Sequence, residues 1–110
     1  MDAREYQRLA IRTAAPTADH IQSLVNAALG LCGEAGEFAD TIKKVQFQGH
    51  ALDHHTLIKE LGDVLWYVAL ACEALDVGMD DIMETNIAKL RQRYPDGFST
   101  ESSINRVGGR

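Results

Sequence analysis

The chain has 110 residues, of which 45% are apolar and 6% aromatic, and it carries a formal net charge of −5. That length points to one domain with a modest core, and the acidic balance argues against a nucleic-acid polymer as partner. No run of about 18 apolar residues could span a membrane, and the charged start MDAREYQRLA lacks a signal-peptide core, so the expected location is the cytoplasm.

Helical periodicity accounts for almost the whole chain. Asp2 with Glu5 reads as a capping box opening a first helix over 2–13, with Tyr6, Leu9, Ala10 and Thr13 along one face. The segment from Thr13 to Thr17, around Pro16, breaks it. Asp19 caps a second helix over 19–48, where Ile21, Leu24, Val25, Ala28, Cys32, Ala35, Ala39 and Ile42 keep helical spacing, and Gly49 ends it. His50, His54 and His55 show no metal-ligand spacing and read as loop residues. Asp53 caps a third helix over 54–76, and a fourth covers 79–94, with acids in its first turn and Arg91 and Arg93 in its last. Pro95 stops it, Asp96-Gly97 reads as a turn, and Phe98 is expected to tuck back. The domain spans 1–99; the polar residues 100–110 are expected to be a mobile tail. The consistent fold class is all-α, a four-helix, bundle-like subunit. Cys32 and Cys72 read as buried free thiols.

Two features stand out from this pattern. Gly30, Gly33 and Gly36 lie inside the second helix, where each costs roughly 1 kcal/mol relative to alanine. Among them sit Glu34 and Glu37, and the third helix repeats the device with Glu60 and Asp63. At 100° per residue, Glu34 and Glu60 fall at the edges of the apolar stripes, with Glu37 and Asp63 one step further out. In antiparallel packing the pairs can face each other across a groove. Four crowded carboxylates repel unless cations sit between them, and oxygen-only donors favour Mg²⁺ or Mn²⁺ over zinc. Asn26, Gly30, Gly33, Glu37 and Lys44 share a strip, with Thr41 adjoining. Two readings of the glycines stay open: a slot where a ligand approaches the backbone, and close helix–helix packing.

The segments GEAGEFADTIKK, KELGDVLWYVA and NIAKLRQRYPDGFS resemble the MazG-like nucleotide pyrophosphohydrolases. The family's Glu-x-x-Glu, spacer, Glu-x-x-Asp pattern is matched at Glu34, Glu37, Glu60 and Asp63. The resemblance implies an all-α oligomer that binds Mg²⁺ through these four acids. It also implies hydrolysis of a nucleoside triphosphate to the monophosphate and pyrophosphate. On the fourth helix Asn86, Lys89, Leu90 and Arg93 share a face, and the resemblance implies that Asn86, Lys89 and Arg93 contact substrate phosphates or metal-bound groups. The alternative is an exposed basic face.

For this chemistry Glu37, the more outward member of its pair, is the candidate general base, with Glu34, Glu60 and Asp63 as core metal ligands. Between Val64 and Cys72 the third helix is apolar all round, which implies a second buried face made by another subunit. Trp66 falls on that face and reads as an interface residue, with a base-stacking platform as the sharper alternative. A homo-oligomer, dimer or tetramer, follows. Two further classes remain: an all-α dUTP/dUDP hydrolase, and a non-catalytic helical module that binds metal or nucleotide.

Overall fold

The computed structural model of the chain describes residues 1–16 and 19–106. Four helices begin where a side chain caps them. Asp2 accepts the Glu5 N–H at 2.8 Å and opens α1 (Ala3–Ile11). Asp19 accepts the Ile21 N–H and opens α2 (His20–Phe47). Asp53 opens α3 (His54–Ala74), accepting both the Thr56 hydroxyl and the His55 N–H. Those two bonds, the first above all, hold its carboxyl below the usual aspartate range. The fourth, α4 (Met79–Arg93), starts at Gly78, whose N–H donates to Asp81. Ser99 then caps the short α5 (Thr100–Asn105) by accepting the Ser102 N–H. No strand forms among the described residues.

The expected helices are present, shorter by one or two residues at several ends. At the end of α1 the Thr13 hydroxyl donates to the Ala10 carbonyl and tightens the turn. Three expectations are corrected. His54 and His55 form the first turn of α3 rather than a loop. Residues 100–105, expected in a mobile tail, are helical because Ser99 supplies a cap; Thr17 and residues 107–110 lie outside the described residues. Phe98 remains 77% exposed and packs only its ring against Tyr94, at 5.5 Å between centroids.

Helices α2 and α3 form an antiparallel hairpin. Thr41 meets Glu60, and Gly30 meets Tyr67, so the partners run in opposite chain directions. Helix α1 crosses α3, and α4 packs against α1 and α3. The core gathers where these three meet: Ala10, Ala69, Cys72 and Met79, flanked by Tyr6, Trp66, Val68 and Val77. Burial pushes the Cys72 thiol up. Gln7, buried, ties the junction together. Its Nε2 donates to Glu73 and to the Val77 carbonyl, and its Oε1 accepts the Met79 N–H at 2.7 Å. Every hydrogen-bonding capacity of a buried amide matters, because an unpartnered one costs about 1–3 kcal/mol.

The apolar stripe of α2 does not form this core. The side of α2 turned inward runs through Ala27, Leu31, Glu34, Phe38, Thr41 and Val45. Ile21, Val25, Cys32 and Ile42 are exposed, as are Leu61 and Leu65 of α3 and Leu75 just after it. The physical reason is Gly30: without a side chain there, the Tyr67 ring lies against the α2 backbone, and that contact selects the packed face.

Candidate active site

The seam between α2 and α3 carries the acids. Because the packed face of α2 is rotated from its apolar stripe, Glu34 lies on the seam itself, half-buried, rather than at its edge. Glu60, also half-buried, lies on the same seam, opposite Thr41 of α2. Its Oε2 accepts the Thr41 hydroxyl at 2.8 Å. Its Oε1 is buried with no hydrogen-bond partner among the described residues. A desolvated carboxylate oxygen left in that condition is costly and calls for a cation or a donor.

Lys44 stands nearby, bonded to Asp40 at 3.0 Å. That bond and the charge of Asp40 raise its ammonium, with smaller contributions from Glu37 and Glu60. Its positive charge is therefore shared among three acids rather than held free on the strip. Lys43 also pairs with Asp40, at 3.6 Å. Thr41 and Lys44 line a cavity of about 250 Å³ whose other walls include His50 and Asp53.

Glu37 and Asp63 are exposed. Asp63 lies toward α1: burial raises the Tyr6 phenol, and the Asp63 charge raises it further. Among the described residues no three His, Cys, Asp or Glu side chains converge closely enough to hold a metal ion. The four acids therefore border one seam without closing on a common centre. The donor set nevertheless suits a hard divalent cation. It is all oxygen, it is carried on rigid helices, and one of its oxygens is buried without a partner.

The glycines divide. A Cβ added at Gly30 would fall inside the Tyr67 ring, so close packing explains it. At Gly33, Gly36 and Gly62 an added Cβ would meet open space. Packing within the chain gives no reason for these three.

The remaining predicted residues sit elsewhere. Asn26 is exposed on α2, two turns before Glu34. Asn86, Lys89 and Arg93 belong to α4, whose packing partners are α1 and α3. Trp66 does not present its indole N–H outward: the group donates to the Thr13 hydroxyl at 2.8 Å and to the Ala10 carbonyl at 3.1 Å. The indole edge is thus held by the end of α1 in the same chain, and Leu70 one turn on is buried. Thr41, Asp40 and Tyr67 were not foreseen as functional. Their i+4 and cross-helix relations to Lys44, Glu60 and Gly30 appear only once the helix register is set. The roomier depressions lie away from the acids, about 490 Å³ between Arg4 and Asp81 and about 580 Å³ along the outer face of α4.

The chain is thus an all-α protein that carries paired helical carboxylates. Residues 22–98 match the MazG nucleotide pyrophosphohydrolase domain, and the chain belongs to that family. It is also similar to "Gene 37 protein" of Mycobacterium phage L5, 37% identical over 101 residues, covering 88% of this chain and 89% of the relative. No solved structure matches significantly. No helix among the described residues is long and apolar enough to cross a membrane.

Proposed function

We propose that the protein is a Mg²⁺-dependent nucleoside triphosphate pyrophosphohydrolase, acting in the cytoplasm. Family membership supports the general activity. The observation that carries the finer reading is Glu60, half-buried, with one oxygen fixed by Thr41 and the other orphaned. Glu34, Glu37, Glu60 and Asp63 would hold the cation, with Mn²⁺ as a possible substitute. Bound there, it would neutralise phosphate oxygens and lower the pKa of water.

The chain's own residues then have separable tasks. Thr41 fixes the rotamer of Glu60. Lys44, tethered by Asp40, offers a point charge to a phosphate oxygen. Glu37, exposed and therefore free to reach a water, takes the proton as that water's oxygen bonds to the α-phosphorus. The bond from the α-phosphorus to the bridging oxygen breaks, and pyrophosphate leaves. Asn86, Lys89 and Arg93 are assigned to the phosphates from α4.

The reading includes a homo-oligomer, dimer or tetramer. Ile21, Leu29 and Ile58 are 71%, 70% and 65% exposed, on helices that have other apolar residues beside them. The radius of gyration is 16.9 Å, against about 13 Å for a compact chain of this size. A second copy covering these faces accounts for both. Sedimentation of a monomer at micromolar concentration would refute this part.

The test of the activity is a product assay with each canonical NTP and dNTP, and with dUTP and dUDP, plus Mg²⁺, resolved by anion exchange, with Glu60→Gln as control. Monophosphate and pyrophosphate, reduced about 100-fold or more in the variant, are expected. Turnover confined to dUTP and dUDP would favour the dUTP/dUDP hydrolase reading. Nucleotide binding without turnover would favour the non-catalytic module.

A further inference from the structure

We infer that the pocket between the α1–α2 connection and α3 is the seat of the nucleobase, held flat against Trp66; this rests on the nucleotide reading above and extends it to substrate selection. The pocket holds about 210 Å³ and is bounded by Pro16, Gln22, Ser23, Asn26, Trp66 and Leu70. That volume is below the roughly 300 Å³ at which pockets for drug-sized ligands begin. It suits one planar heterocycle and not a whole nucleotide.

The chemistry of the walls narrows the ligand further. Among the described residues no charged side chain lines the pocket, so they offer a phosphate no partner in it. Gln22, Ser23 and Asn26 follow one another on a single turn of α2 and bring two amides and a hydroxyl. Together these can donate and accept along the edge of a base. Trp66 contributes stacking surface only. Its single N–H is spent on Ala10 and Thr13, and an edge contact with Tyr67, at 4.9 Å between centroids, restrains the ring further. An aromatic ring fixed in this way is preorganised for a flat partner.

Position agrees with chemistry. Asp63, Trp66 and Leu70 succeed one another at i, i+3 and i+7 on α3, so the pocket begins one turn from an acid of the seam. On α2 the strip from Asn26 reaches Glu37 past Gly33, where space is open. A base seated against Trp66 therefore leaves its sugar and phosphates lying along bare backbone toward the carboxylates.

Trp66 is the one tryptophan of the chain, so occupancy is read from intrinsic fluorescence. The wild-type protein is titrated with adenosine, guanosine, cytidine, uridine and thymidine, without Mg²⁺, with ribose as control. The expected result is saturable quenching by at least one nucleoside and none by ribose. Asn26→Ala, an exposed position, weakens that binding about fivefold or more. With the matching triphosphate the same variant raises KM roughly tenfold and leaves kcat within about twofold, the pattern of lost uniform binding. Gln22→Ala serves as the second variant, and circular dichroism checks that both keep their helix.

Absence of saturable quenching with all five nucleosides overturns the assignment. So does quenching that both variants leave unchanged. Triphosphate hydrolysis with an unresponsive Trp66 defeats the pocket and spares the hydrolase. Quenching abolished by Asn26→Ala, in a protein that hydrolyses no triphosphate, supports the pocket and defeats the hydrolase.

Discussion

The α1–α3–α4 junction and the α2–α3 seam share a helix, yet they are finished to different degrees. At the junction the polar groups of Gln7 are all partnered, and Ala69, Cys72 and Met79 are sealed from water. At the seam a carboxylate oxygen is buried without a partner, three glycines face open space, and large apolar side chains on both helices remain wet. The contrast separates what one chain completes alone from what it leaves for a ligand or a second copy. Packing is completed at one end of α3 and left open at the other.

Substitutions at the two ends should therefore differ in sign as well as size. Met79 is 5% exposed within the junction core, and Met79→Ala is expected to destabilise by about 2–5 kcal/mol, read by urea unfolding. A loss under about 1 kcal/mol would mean that the junction is not the stable end. Gln7→Leu removes partners from the Met79 N–H and the Val77 carbonyl, and about 1–3 kcal/mol should go with them. If thermal melts show Gln7→Leu unchanged, water replaces the amide and the junction is less dry than it looks.

The glycines make the sharpest contrast. Gly30→Ala forces the Tyr67 ring to move and should cost about 1–3 kcal/mol. Gly33→Ala enters open space within a helix and should stabilise by about 0.5–1 kcal/mol. If Gly33 is part of a substrate slot, that more stable variant turns over more slowly, and equal turnover would return Gly33 to mere helix surface.

The smallest expected effect is with pH. The Asp80 carboxyl is held low by its bond to Arg4, at 2.6 Å, and Asp53 by Thr56 and His55. A group whose folded pKa is lowered stabilises the fold above its ordinary value, about 3.9 for aspartate. That contribution disappears as the pH falls through the lowered folded value. Melting temperature should thus be flat near neutrality and decline below pH of about 4. Asp80→Asn and Asp53→Asn should shrink the decline, by little, since both acids lie in contact with solvent.

Much of this was legible in the sequence. The caps at Asp2, Asp19 and Asp53 are local chemistry, and a local pattern finds them. The four acids were singled out by their i, i+3 spacing. What periodicity could not reveal is which of two apolar sides of α2 meets α3. Ile21, Val25 and Ile42 form a good stripe by count, but the packed side is chosen by a ring 37 positions away. Trp66 depends on a related choice: an all-apolar stretch of α3 reads as too much surface for one chain, and the nine residues of α1 cover part of it. Ser99 as a cap was a missed local signal, since a serine three residues before Ser102 is enough to start α5.

The meeting of Gly30 with Tyr67 also limits how this protein can change over time. A side chain acquired at position 30 while the ring remains pushes the ring aside and weakens the fold. Shrinking the ring at position 67 first leaves a hole beside α2. Either order passes through a weakened intermediate. The two positions should therefore drift together or not at all, and a library in which both are randomised at once should recover pairs that neither single library contains.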